Sequence, residues 1–342
     1  MLEIKHTLCP SCSVGCGINV ILENNSVVGT FPYKRHPVNA GKNCANGRNS
    51  VENFANKIHE ASISKGSVDL EKSIAEISKE INGNDKVTVL LSGNNSLDEA
   101  EAIKAFSEEK NFNLVFYADN LRNFDEVASY DEVEEASTVL VIGDILYENP
   151  LIGRRIVHAK QNGAKIFSNI KAEKSVTANI SDETTSASVQ EFLDAYKDNL
   201  DPSSVIVFNT VDVDEDLDKI AGLESKILPV YSKTNTKGIL SIVEAKSENE
   251  IIDVLNDTDV LLIFNDDVVD EFDFDFKSIS KIISFSAFEN DTTEISDIVV
   301  PIKSWLENEG SFVNAMGDTQ NFIPVIESDE LGIVEVIEKI KG

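Results

Sequence analysis

The chain has 342 residues, with 60 Asp/Glu against 30 Lys/Arg, a formal net charge of -30 and 42% hydrophobic residues. That acidity disfavours nucleic acid and anionic membrane surfaces as partners. No apolar run approaches the roughly 18 residues of a membrane span, and the length suits two or three domains.

Met1-Leu2-Glu3-Ile4-Lys5 carries neither the apolar core of a secretion signal nor a twin-arginine motif. All four cysteines follow within the first 44 positions, as Cys9, Cys12, Cys16 and Cys44, spaced C-x2-C-x3-C-x27-C. Three thiolates on one tight loop and a fourth from further along read as a metal cage. Disulfides suit small secreted domains, whereas a chain of this length buries about 75% of its unfolded surface without them. Two occupants remain. A [4Fe-4S] cube takes one thiolate at each corner iron, and a structural zinc takes four in a tetrahedron. Zinc ribbons usually present two C-x2-C knuckles, and here there is one. Gly17 to Leu22, a polar Glu23 to Ser26 and Val27 to Gly29 read as a β-hairpin that carries Cys44 back to the other three. Gly15 and Gly17 flank Cys16 and are expected to leave backbone N–H groups for cluster sulfurs.

From about residue 65, buried-strand runs alternate with amphipathic helices. Val87–Leu91 precedes a helix over 97–110, and Thr138–Ile142 precedes one over 150–162. Lys165–Phe167, Val205–Phe208, Ile227–Val230 and Val260–Phe264 are further strands. Continuous apolar strands between helices imply a parallel sheet covered on both faces, a doubly wound α/β fold. Domains are expected over residues 1–60, 61–200 and 201–342, the last two open to interleaving. No internal repeat is evident. The loops at Gly143–Pro150 and Lys233–Gly238 lie where such sheets bind ligands, but no G-x-G-x-x-G or P-loop occurs, so NAD and ATP are not indicated. His59 and His158 are placed in helices, and 212–218 and 270–275 on solvated acidic faces. Residues 1–60 hold six Lys/Arg against four Glu, while the remainder holds 24 against 56. That local excess suits an anionic cluster or an acidic electron-transfer partner.

Cys9-Pro10-Ser11-Cys12-Ser13-Val14-Gly15-Cys16-Gly17 and Tyr33 to Cys44 resemble the N-terminal domain of the molybdopterin oxidoreductases, formate dehydrogenase catalytic subunits above all. Thr293 to Pro301 and Glu309 to Asn314 resemble that family's "TE.AD.VLP" and "EG.F.N" signatures, and Gly143 to Pro150 its glycine and Asn-Pro loop. The resemblance implies a small N-terminal β-rich [4Fe-4S] domain followed by Rossmann-like sheets. It also implies that Cys9, Cys12, Cys16 and Cys44 hold the cluster, with His36 close by, next to a molybdenum or tungsten bis(pterin guanine dinucleotide).

Departures from the family pattern qualify the second cofactor. Asn46 stands where a bridging Lys is usual, with Lys42 and Arg48 as the nearest cations. Leu114 to Asn123 carries no Cys, selenocysteine or Ser to ligate the metal, only Asp119 and, beyond it, Asp125 as carboxylates. Ser168-Asn169-Ile170-Lys171 replaces Asp-Pro-Arg, and the closing pterin-binding domain of longer members is not seen before Gly342. The expectation is a cytoplasmic iron-sulfur electron-transfer subunit, served by flavin or iron-sulfur partner subunits, without its own Mo/W site. The alternatives are the catalytic half of a divided formate or formylmethanofuran dehydrogenase, its pterin domain supplied by another subunit, and a structural scaffold in which the four cysteines hold zinc. No residue is assigned a catalytic role.

Overall fold

A computed structural model describes residues 1–342 apart from positions 120, 173, 214–216 and 270. The chain opens with an antiparallel sheet in the order β1 (Leu2–Leu8), β2 (Gly17–Glu23), β3 (Ser26–Pro32). The hairpin expected at 17–29 is present. Its turn residues Asn24 and Asn25 have φ of 52° and 63°, the left-handed pair that a tight hairpin turn requires and asparagine tolerates. The strand β1 was not legible. Its exposed residues mix Leu2 and Ile4 with Glu3, and it forms because β2 offers a paired edge, from Leu2 opposite Glu23 to Leu8 opposite Gly17. Ile18, Val20 and Leu22 alternate inward along β2 and are fully buried, in one core with Val139 and Val141.

The remaining strands are β4 (Ala61–Ile63), β5 (Gly66–Val68), β6 (Val87–Leu91), β7 (Asn113–Tyr117), β8 (Thr138–Ile142), β9 (Lys165–Asn169), β10 (Glu183–Thr185), β11 (Val205–Asn209) and β12 (Lys226–Val230). They are followed by β13 (Ala245–Lys246), β14 (Val260–Phe264), β15 (Lys281–Ser286), β16 (Ile298–Pro301), β17 (Gly310–Val313) and β18 (Thr319–Phe322). One parallel sheet has the order β10-β9-β8-β11-β12. The larger has the order β13-β7-β6-β14-β15-β16-β4-β5, antiparallel only where β4 meets β16 and β5. Every residue of β6, β8, β11 and β14 is buried, the mark of strands covered on both faces.

A boundary at residue 200 runs through both sheets. The chain builds β4 to β7, leaves to make the whole five-stranded sheet, then returns through β13 to complete the larger one. Strands from before and after residue 200 therefore share both sheets.

A repeat invisible in sequence also appears. Asp144, after β8, accepts from Thr177 N (3.0 Å) and Thr177 Oγ1 (2.7 Å) at the start of the helix Val176–Ile180. Asp267, after β14, accepts from Thr292 N (3.0 Å) and Thr292 Oγ1 (2.8 Å) at the start of the helix Asp291–Ile295. Each helix ends in a Ser-Asp pair. Ser181 and Ser296 bond back to the carbonyls of Thr177 and Thr292, and Asp182 and Asp297 each accept a strand N–H at 2.9 Å, from Ile166 and Ile282. Thirty-three residues separate the partners in the first unit and 25 in the second, so no fixed period marks them.

Candidate iron-sulfur centre

Cys9, Cys12, Cys16 and Cys44 line one cavity, as their spacing predicts. Cys9 leaves β1, and its N–H donates to the carbonyl of Cys16 (2.8 Å), closing the loop. The rest of that loop is sutured to distant segments. Ser13 Oγ accepts from Tyr231 N (2.8 Å), Ala315 N donates to the carbonyl of Ser13 (2.7 Å), Gln320 Nε2 to that of Gly15 (3.0 Å), and Tyr130 to that of Val14 (2.8 Å). The hairpin β17–β18, which holds the "EG.F.N" match, thus supports the backbone of the loop that carries three of the four sulfurs.

Cys44 caps the short helix Ala45–Asn49, its sulfur 3.5 Å from Gly47 N. A Cβ at Gly47 would lie 3.2 Å from Cys9 Sγ and 4.0 Å from Cys44 Sγ, so glycine lets the helix approach both sulfurs. Asn39 joins this second segment to the first. Its Oδ1 accepts from Gly17 N (2.9 Å), and its Nδ2 donates to the carbonyls of Gly17 (2.9 Å) and Lys42 (2.5 Å). Gly17 therefore spends its N–H on Asn39, contrary to the expectation that it serves a cluster sulfur. Asn39 was not singled out in sequence, because a buried asparagine in a polar loop carries no signal of its own. His36 packs its ring where a Gly17 Cβ would be, 2.4 Å away, and burial lowers its pKa.

Burial, then the neighbouring sulfur of Cys9, pushes the Cys12 thiol up to about 12. Burial raises Cys16 well above the ordinary range, with Cys12, Cys9 and Cys44 adding to it, and burial is also the main cause of the rise at Cys9. Sulfurs so crowded lose protons readily only to a cationic centre. Among the described residues no three His, Cys, Asp or Glu side chains are grouped to hold a metal ion. Four sulfurs lining one cavity supply the all-thiolate donor set that a [4Fe-4S] cluster takes.

The cavity's far wall is Glu148, Asn149, Pro150 and Leu151. The loop after β8 is thus largely helical, as Ile145–Glu148 and the start of Pro150–Gln161, and it faces the cysteines. Asn46 lines the cavity, while Lys42 and Arg48 are exposed and do not. Asp119 is committed elsewhere, accepting from Thr210 Oγ1 (2.7 Å) and Ser232 N (2.9 Å), and neither it nor Asp125 lines the cysteine cavity. Asn169 donates to the carbonyl of Ala187 (2.9 Å), and Lys237, in the helix Thr236–Leu240, donates to that of Phe124 (2.6 Å). His6 stacks on Tyr33 with ring centroids 4.1 Å apart. His158 is helical and pairs with Glu134, whereas His59 lies outside any helix and pairs with Glu330. The two acidic stretches fall partly outside the described residues.

Gly15 has φ of +74°, and a Cβ there would meet Gln320 Oε1 at 2.0 Å and Asn314 Cβ at 2.8 Å. Gly15→Ala is expected to cost about 1–3 kcal/mol from backbone strain alone, read as a lower denaturation midpoint. An unchanged midpoint would show that the loop has another conformation.

Comparison with known proteins agrees with this geometry. Residues 2–56 match the family described as molybdopterin oxidoreductase Fe4S4 domain, and residues 206–330 match molybdopterin oxidoreductase. Among curated relatives, the F420-dependent formate dehydrogenase 1 subunit alpha of Methanococcus maripaludis is 29% identical over 199 residues, covering 48% of this chain and 28% of that protein. The F420-dependent formate dehydrogenase subunit alpha of Methanocaldococcus jannaschii is 28% identical over 207 residues, covering 53% and 30%. The matched region thus spans less than a third of either relative's length. Acetylene hydratase from Pelobacter acetylenicus shares the fold with a TM-score of 0.69 at 10% identity, over 98% of this chain and 69% of that one. A chain of the formyltransferase/hydrolase complex from Methylorubrum extorquens does so with a TM-score of 0.61 at 12% identity, over 82% and 97%. Among the described residues no helix is long and apolar enough to cross a membrane. Cysteine cage, carrier fold and both matched segments converge on one conclusion: the chain belongs to the molybdopterin oxidoreductase family.

Proposed function

We propose that this chain is a cytoplasmic iron-sulfur electron-transfer subunit of a redox complex, holding one [4Fe-4S] cluster on Cys9, Cys12, Cys16 and Cys44. The observation that carries the reading is the convergence of all four sulfurs on one cavity, in the segment that matches the family's Fe4S4 domain. The cluster supplies one-electron transfer at a potential set by charge, burial and hydrogen bonds to sulfur. The chain holds the cysteine loop rigid through Ser13, Gly15 and Asn39. It also exposes Lys34, Arg35, Lys42 and Arg48 on the cluster segment, a surface suited to an acidic partner that carries a flavin or a second cluster.

The residues around the neighbouring crevice argue against a pterin guanine dinucleotide held by this chain alone. Asp267 and Glu289 line the crevice beside Pro10 and Ser11, and among the described residues no lysine or arginine does. A pyrophosphate would meet like charge there. Asp144 and Asp267 already take the N–H groups at the two helix starts.

Metal analysis of the anaerobically purified complex tests the proposal. About four iron per chain with negligible molybdenum and tungsten is expected. Stoichiometric molybdenum or tungsten on this polypeptide would overturn it in favour of a divided Mo/W-pterin enzyme, the second reading. Residues 206–330 favour that reading through their match to the molybdopterin oxidoreductase family, and formate-dependent dye reduction by the assembled complex is its signature.

A further inference from the structure

Three ionisable side chains are packed together at the carboxyl ends of β7, β12 and β14, in the wall between two crevices. Lys233 Nζ lies 2.8 Å from Tyr117 Oη, 2.8 Å from Asp266 Oδ2 and 2.8 Å from Glu271 Oε1. Tyr117 donates to the same oxygen of Asp266, and Lys233 also sits 4.3 Å from the centre of the Tyr117 ring. The second Asp266 oxygen accepts from Asn94 Nδ2 and Asp267 N, both at 2.9 Å.

The wall has two faces. Tyr117, Lys233 and Glu271 line the outer crevice, where the Glu271 side chain is 40% exposed while that of Asp266 is 6% exposed. Asp266 lines the inner crevice together with Pro10 and Ser11 of the cysteine loop, and Thr234, next to Lys233, donates to the carbonyl of Pro10. Hydrogen bonds and an ion pair therefore run from the half-exposed Glu271 through Lys233 to Asp266, and Asp266 shares its crevice with Pro10 and Ser11 of the cluster segment.

We propose that Asp266, Lys233 and Tyr117 form a proton-exchange site, supplied from solvent through Glu271, that takes up one proton when one electron reaches the neighbouring cysteine-bound cluster. The proposal rests on the electron-transfer reading above. In the balanced step the electron comes from the partner's flavin or iron-sulfur centre and the proton from water. An O–H bond forms on Asp266, and Glu271 and Lys233 return to their starting states. The charged groups around Asp266 are Lys233, Glu271, Asp267 and Glu289, with Tyr117 as the phenol; Asp119, Lys246 and Glu248 face the outer crevice, Asp119 acting on Lys233. One buried cation among so many carboxylates leaves room for a proton. Burial, reinforced by Glu271, pushes Asp266 up to about 8, and burial lowers Lys233 against the pull of Glu271, Asp119 and Asp267.

The sign of the coupling follows. Added negative charge on the cluster raises the proton affinity of Asp266 further. Below the oxidised-state value the site is protonated in both redox states and the potential is flat. Above it, reduction draws in a proton and the potential falls as pH rises.

The test is a redox titration of the iron-loaded complex between about pH 6.5 and 10, with proton uptake on reduction followed by an indicator dye. In the native protein the midpoint potential is expected to be constant below about pH 8, then to drop by up to about 59 mV per pH unit, the one-electron equivalent of tenfold in proton activity. Asp266→Asn is expected to give a flat line and no uptake. Glu271→Gln, at a half-exposed position that folding tolerates, should keep the slope and slow the uptake. A fully loaded native protein with a flat potential overturns this proposal alone, as does an unchanged slope in Asp266→Asn. A chain that takes up no iron overturns the electron-transfer reading, and this proposal with it.

Discussion

Cys12→Ser is expected to reduce bound iron from about four per chain to less than one and to abolish the visible absorption of the cluster. A hydroxyl at one corner is a poor replacement for a thiolate, and the buried sulfurs of Cys9 and Cys16 then sit crowded, their burial favouring the thiol. Because metal binding is coupled to local folding, the loops over 9–16 and 36–47 should open, seen as fast amide exchange there. The sheet of β1 to β3 is expected to persist, since Ile18, Val20 and Leu22 are anchored in a core shared with the five-stranded sheet. Full iron and an unchanged spectrum in the variant would show that Cys12 is not a ligand.

The second large effect concerns stability. Of the six cations in residues 1–60, Lys57 is not on the surface. Its side chain is 7% exposed and its Nζ lies 3.1 Å from Glu307 and 3.4 Å from Glu330. Glu307 is itself 3% exposed and accepts from Ser304 N (2.8 Å) and Ser304 Oγ (2.7 Å). This buried ion pair ties the end of the cluster segment to the loops after β16 and β18. Removing one partner strands a buried charge, so Lys57→Met should destabilise the protein by about 3–5 kcal/mol. In the double variant Lys57→Met with Glu307→Gln, part of that loss should return, because no carboxylate at position 307 is left uncompensated. Denaturant unfolding of the single variant within about 1 kcal/mol of native would refute the pairing.

Much of the site was legible because its chemistry is local. Three of the four sulfurs lie within eight residues, and no other residue type marks a metal cage so plainly. The buried strands Val87–Leu91, Thr138–Ile142 and Val260–Phe264 were legible to the residue, since a short run of apolar and β-branched residues between turn signals has few other uses. By contrast β1 escaped notice because its pairing edge, not its own residues, makes it a strand. The loop over Gly143–Pro150 read only as a place where such sheets bind ligands, because nothing in those residues indicates that Glu148, Asn149 and Pro150 share a cavity with the cysteines.

By itself the sequence determined the family resemblance, the α/β class and the acidic surface with its basic N-terminal segment, and it singled out four cysteines that line one cavity, all properties carried by residue type and short-range spacing. Only the tertiary structure decided which distant groups hold the cysteine loop, how the two sheets interleave, and that Asp144 and Asp267 play the same part in both. It alone brought Lys233, Asp266 and Tyr117 together, 33 residues or more apart in the chain. The physical reason is that sheet order and buried polar pairing follow from where strands dock in space, and hydrogen bonds between segments 116 to 305 residues apart leave no period in the chain from which to read them.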